Sequence, residues 1–201
     1  MKKIVLAMTL LLTTAAASFG QTAREVLDKA AKNISLESGV KADFRMTSAV
    51  GSTSGTIAVK GSKFHATTPE AIMWFDGTTQ WTYMRNNDEV SVTTPSSAQL
   101  QAINPYNFIN LYKSGYKSTM TQTDDGQGYA VHLTATDNSR SVKELFITVS
   151  KKSSLPTQVK MLRGKRWTTF DISNLRKQSF DDSTFRFNQK DYPSAEVIDL
   201  R

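Results

Sequence analysis

His65 and His132 are the only imidazoles in the chain, and there is no cysteine. Metal centres need clustered Cys, His and carboxylate ligands, and acid–base sites need a second titratable group close by. Each histidine sits in a strand-like stretch with no carboxylate within three residues along the chain. Neither spacing suits a metal or a catalytic pair. Gly51-Ser52-Thr53-Ser54-Gly55 superficially resembles a nucleophile elbow, but that motif needs serine at its centre, between a strand and a helix. Thr53 holds the centre and strands are expected on both sides, so a hairpin turn is the better reading. Asp124-Asp125 and Asp181-Asp182 are paired acids at turns, where aspartate is favoured for backbone reasons. No glycine-rich phosphate loop follows a strand and opens a helix. These residues point away from an enzyme and require no cofactor.

The apolar residues are more informative. Trp74, Trp81, Tyr83, Trp167 and Phe170 fall in strand-like stretches, with Met46, Met73, Met84, Met120 and Met161 spread among them. Methionine adapts its shape and suits surfaces that accept variable apolar ligands. Two readings stay open here: an ordinary packed core, or a face kept free for a greasy ligand.

The elements that must position these residues change period along the chain. Residues 22–36 form an amphipathic helix by spacing, with Val26, Leu27, Ala30, Ala31 and Ile34 on one side. Thr22 followed by Glu25 is a capping-box pattern, and Gly39 is a stop signal. Alternation of period two then begins around Phe44, Met46 and Ser48. It continues through residues 56–60, 63–68, 71–75, 80–85 and 89–93, separated by turns rich in Gly, Pro, Asn and Asp. Strands this close together pair as an antiparallel meander. Residues 96–112 have helical spacing in two pieces, the second capped by Asn104 with Pro105 in its first position. Strands resume at residues 116–123, 129–135, 142–150, 156–162 and 166–175. The chain ends with a strand-like Thr184-Phe185-Arg186-Phe187 and a short Glu196-Val197-Ile198.

About eleven strands in one antiparallel sheet cannot stay flat, because twist makes the sheet curl or close. The expected fold class is therefore mainly β (α+β). A single curved antiparallel sheet forms an unclosed half-barrel, with an N-terminal helix and a helical lid.

Residues 1–20 read as a secretory signal peptide: Lys2 and Lys3, an uncharged h-region from Ile4 to Ala17, then small residues before Gln21. The h-region is shorter than the ~20 residues that span a bilayer. The domain is then expected over residues 21–201, in the periplasm and as a monomer. Its core must hold without disulfides. The formal net charge of +7 falls to +5 once Lys2 and Lys3 are removed. The remaining cations are scattered and often sit in turns, as in Arg163-Gly164-Lys165-Arg166. A solvated surface accounts for them better than a nucleic-acid patch.

At Asp76-Gly77-Thr78-Thr79-Gln80-Trp81-Thr82-Tyr83 the sequence resembles the periplasmic outer-membrane lipoprotein carrier family, the LolA-like proteins. Members show Asp-Gly, three residues, then Trp-x-Tyr, followed by a turn and a strand, here Glu89-Val90-Ser91-Val92. The strand beginning at Gly55 and ending at Lys60, the helix start Asn104-Pro105-Tyr106, the late strand Lys143 to Val149, and the ending from Phe185-Arg186-Phe187 to Asp199 follow in family order. The resemblance implies an unclosed barrel with a helical lid, whose cavity holds the acyl chains of a lipoprotein. It also implies an inner-membrane ABC-type release complex as donor and an outer-membrane lipoprotein as acceptor. Family members place an arginine after the lysine of the Gly-initiated strand, and it latches the lid. Gly61 and Ser62 follow Lys60 here, so the latch is missing and the lid would rest on Tyr106, Phe108, Ile109 and Leu111.

On this reading alternation proposes a cavity lined by Phe44, Met46, Ile57, Val59, Ile72, Trp74, Trp81, Tyr83, Met161 and Phe170, facing Phe108 and Ile109 of the lid. A phase error of one residue moves a strand's whole set to the other face. The expected function is to carry lipoproteins, or another lipid cargo, from the inner to the outer membrane. The alternative is a lipid-sensing regulatory or general lipid-binding periplasmic protein of the same fold.

Overall fold

The computed structural model describes residues 21–34, 37–96, 99–100, 111–123 and 126–201. Helix α1 spans Ala23–Ile34. Its capping box is formed: the Thr22 amide donates to Glu25 Oε2 at 2.8 Å, and the Glu25 amide donates to Thr22 Oγ1 at 3.2 Å. Val26, Leu27, Ala30 and Ile34 are buried along one stripe.

The strands are β1 Val40–Ser48, β2 Gly51–Lys60, β3 Lys63–Thr67, β4 Ala71–Phe75, β5 Gln80–Met84 and β6 Glu89–Thr93. They continue as β7 Tyr116–Thr121, β8 Gly128–Ala135, β9 Val142–Ser150, β10 Pro156–Arg163, β11 Arg166–Lys177 and β12 Glu196–Asp199. All twelve belong to one sheet, ordered β12-β6-β5-β4-β3-β2-β1-β11-β10-β9-β8-β7. The sheet is open, with β12 and β7 as its edges. Two meanders, β1–β6 and β7–β11, are joined through the long β1–β11 pair. Among the described residues only β12 runs parallel to its neighbour, β6.

Two expectations need correction. The first hairpin turns at Ala49 and Val50, and residues 51–55 belong to β2, paired with β1. Gly55 is needed there for space, since a Cβ would sit 1.9 Å from the Thr67 carbonyl oxygen. Thr184-Phe185-Arg186-Phe187 is not a strand: Asp182–Phe185 is a 3-10 turn. Gly61, where the resemblance expects no latch, has φ +59 in the two-residue turn between paired Lys60 and Lys63. Glycine is favoured in that left-handed region.

Register divides the side chains between two faces. The inner face carries Val40, Ala42, Ile57, Val59, Phe64, Ala66 and Phe75, then Val159, Ile147, Leu145, Val131 and Leu133, all buried in one cluster with α1. The contacts of α1 lie mainly with β7, β8 and β9. Tyr112 ties the following chain to α1, its hydroxyl donating to Asp28 at 2.5 Å. Burial and that bond together raise the phenol above its usual range.

The chain between β11 and β12 covers the outer face of β3–β6. Phe185 is 0% exposed and meets Phe180 edge-on at 5.8 Å. Lys60 and Lys63 both pair with Asp182, and Lys60 Nζ also donates to the Phe180 carbonyl at 2.8 Å. The two lysines hold the Asp182 carboxyl below its usual range.

His65 lies under this layer, stacked on Trp74 at 5.5 Å. Burial first, and the Lys41 charge second, hold its pKa below the ordinary 6.5. The unfolded chain then takes up the proton more readily, so stability falls as pH drops below 6.5 toward the folded value. His65→Gln should flatten that part of the stability curve in urea melts at successive pH values. An unchanged curve would contradict this origin.

Candidate functional site

The sheet splits the predicted lining set. Phe44, Met46, Ile57, Val59, Met161 and Phe170 fall on the inner face and belong to its cluster or pack against it. Register sets Met46 opposite Phe170 and Ala42 opposite Ile57. Ile72, Trp74, Trp81 and Tyr83 fall on the outer face instead, with Trp74 opposite Trp81 and Ile72 opposite Tyr83. Their partners come from the C-terminal layer. Trp74 meets Phe187 and Tyr192 edge-on at 5.6 Å each, and Tyr83 lies 4.7 Å from Tyr192. The proposed single lining is thus corrected to two sets on opposite faces. Phe108 and Ile109 lie outside the described residues, as do the expected signal peptide and the middle of the expected lid.

The physical reason is that β4, Ala-Ile-Met-Trp-Phe, is apolar at every position. Alternation cannot set the phase of such a strand. Its inner-face members are Ala71, Met73 and Phe75, and those of β5 are Gln80, Thr82 and Met84.

The inner face is not uniformly filled. Phe44, Met46 and Met73 are only partly buried, and they lie on β1 and β4, away from the strands under α1. Leu100 and Leu111 pack against the same cluster. Gln80 is buried on this face. Its amide donates to Thr82 Oγ1 at 3.1 Å, while among the described residues no donor reaches its Oε1. A buried acceptor without a donor costs about 1–3 kcal/mol.

Other cavities lie elsewhere. One of about 460 Å³ lies where β1, β2 and β11 meet and touches Phe44 and Ile172. Another of about 500 Å³ runs between His65, Ile72, Trp74 and the C-terminal layer. Neither gathers the predicted set.

Sequence reasoning missed one arrangement. His132 on β8 lies 2.9 Å from Glu144 on β9, and its ring stacks on Phe146 at 4.2 Å. The row continues to Trp167, 5.8 Å from Phe146, with Lys160 Nζ 4.8 Å from its ring centre. A search for a carboxylate along the chain could not find Glu144, twelve residues away. Among the described residues no group of three potential metal ligands comes together.

Comparison with known proteins places this architecture. The model of a family described as outer membrane lipoprotein carrier protein LolA matches residues 12–165. No curated protein matches the chain. Among solved structures, an uncharacterized conserved protein from Thermus thermophilus is similar at 10% identity and a TM-score of 0.57, over 88% of this chain and 98% of that one. A LolA superfamily protein from Nitrosomonas europaea has 14% identity and a TM-score of 0.45, over 84% and 99%. The MucA/MucB complex of Pseudomonas aeruginosa contains a chain with 12% identity and a TM-score of 0.42, over 84% and 62%. At such identities the likeness is one of fold. With the family model matched over most of its length, the chain belongs to the family of the outer membrane lipoprotein carrier protein LolA.

Proposed function

We propose that this protein is a periplasmic carrier that binds the acyl chains of lipoproteins on the inner face of its sheet. The observation that carries the reading is the family match, joined to an apolar face left partly uncovered at Phe44, Met46 and Met73. Each buried CH₂ contributes roughly 0.8 kcal/mol, so one chain of about fifteen carbons could contribute on the order of 12 kcal/mol. That suffices to keep a cargo in solution. Transfer then needs only an acceptor that binds the cargo more favourably, and no catalytic group.

The donor would be an inner-membrane ABC-type release complex, and the acceptor an outer-membrane lipoprotein. Purified protein mixed with lipoprotein-loaded spheroplasts is expected to bring lipoprotein into solution. Failure to release any sinks the carrier reading. Mass spectrometry of material co-purified from the periplasm tests the cargo. A triacylated lipoprotein supports transport, while free phospholipid alone moves the assignment to a general lipid binder or lipid sensor.

A further inference from the structure

Two neighbouring hairpin tips at one end of the sheet combine free cations with an exposed apolar side chain. The β10–β11 turn, Arg163-Gly164-Lys165-Arg166, is exposed throughout. Arg163 pairs with Arg166 and Gly164 has φ +57, so the strands reverse over two residues and leave three cations at the tip. Among the described residues none of the three side chains has an ion-pair partner. The β1–β2 tip lies beside this turn, because Ser48 pairs with Thr168. Val50, two residues beyond that pair, is 88% exposed. Neither turn contains a carboxylate. Just below, on the outer face, Trp167 is half-buried, opposite Leu162 and beside Lys160.

These side chains match the layers of a bilayer surface. Lysine and arginine are drawn to anionic headgroups. Indole rings favour the headgroup level. An aliphatic tip gains by leaving water for the acyl boundary. An acidic protein surface would account for the three cations but would give Val50 nothing. We propose that this end of the sheet docks on an anionic phospholipid bilayer, with the β10–β11 tip among the headgroups and Val50 entering the interface. The docking surface is separate from the inner face, so it stands or falls apart from the cargo reading.

Flotation with cargo-free vesicles tests it. The protein is expected to float with phosphatidylcholine vesicles containing phosphatidylglycerol, to float poorly with phosphatidylcholine alone, and to be released by high salt. Each cation near an anionic surface is worth about fivefold in partitioning, so R163S/K165S/R166S should weaken binding on the order of 100-fold. Val50→Ser should weaken it severalfold. K152S/K177S, at the other end of the sheet, should change it little, and Met46→Glu should leave it intact. All these sites except Met46 are exposed, and unchanged melting temperatures will show that the surface variants fold. Absence of binding overturns the proposal, as does equal binding to neutral vesicles. An equal loss in K152S/K177S also overturns it, since the effect would then be one of net charge.

Discussion

Phe185→Ala is expected to destabilise the protein by about 3–5 kcal/mol, the cost of deleting a fully buried aromatic ring. Phe185 is 0% exposed, under a layer that otherwise has only turns and a short edge strand to hold it. Removing the ring leaves a cavity between Phe180 and the outer face of β3 and β4, which a 3-10 turn cannot readily close. In a domain of this size the melting temperature should fall by roughly 10 °C. The ion pairs beside it are a control. Asp182 is exposed, so Asp182→Ala should shift the midpoint far less than Phe185→Ala even though it removes both lysine contacts. Urea melts of the two variants decide the matter. Equal midpoints would mean that the C-terminal layer is not held by its apolar core.

The second large effect separates the two faces. Met46→Glu places a carboxylate on the partly buried inner face, beside Phe170. Leaving that charge against an acyl chain should cost on the order of 3 kcal/mol, or about 100-fold in cargo affinity. Trp81→Glu places the same charge on the outer face, opposite Trp74. It should lower stability by loosening the aromatic layer, yet leave cargo affinity near that of the parent where the variant folds. Binding of a fluorescent acyl probe, measured beside thermal melts, distinguishes them. If folded Trp81→Glu loses binding as Met46→Glu does, the cargo does not sit on the inner face alone.

The sequence by itself determined the class of fold. The period-3.6 stripe of Val26, Leu27, Ala30 and Ile34, with its Thr22–Glu25 capping box, is local information, and α1 follows from it. Alternation and turn residues likewise located β3 to β6 and β8 to β11 to within a few residues, because tight antiparallel pairing is a near-neighbour property. The family resemblance was also legible, carried by Asp76-Gly77 and Trp81-Thr82-Tyr83 in order with the later motifs.

Only the tertiary structure decided which face each strand shows. A run such as Ala71–Phe75 is apolar on both sides, and its phase is set by hydrogen-bond register with Phe64 and Gln80. The residues 51–55 carry turn-like glycines and serines, yet they extend β2 because β1 supplies a pairing partner along its whole length. Thr184 to Phe187 alternates like a strand but lies over the sheet, where Phe185 is fully buried against its outer face. The His132–Glu144 contact and the nearness of Val50 to the cationic turn arise from pairing between strands. Such contacts join residues far apart in the chain, so no pattern read along the chain contains them.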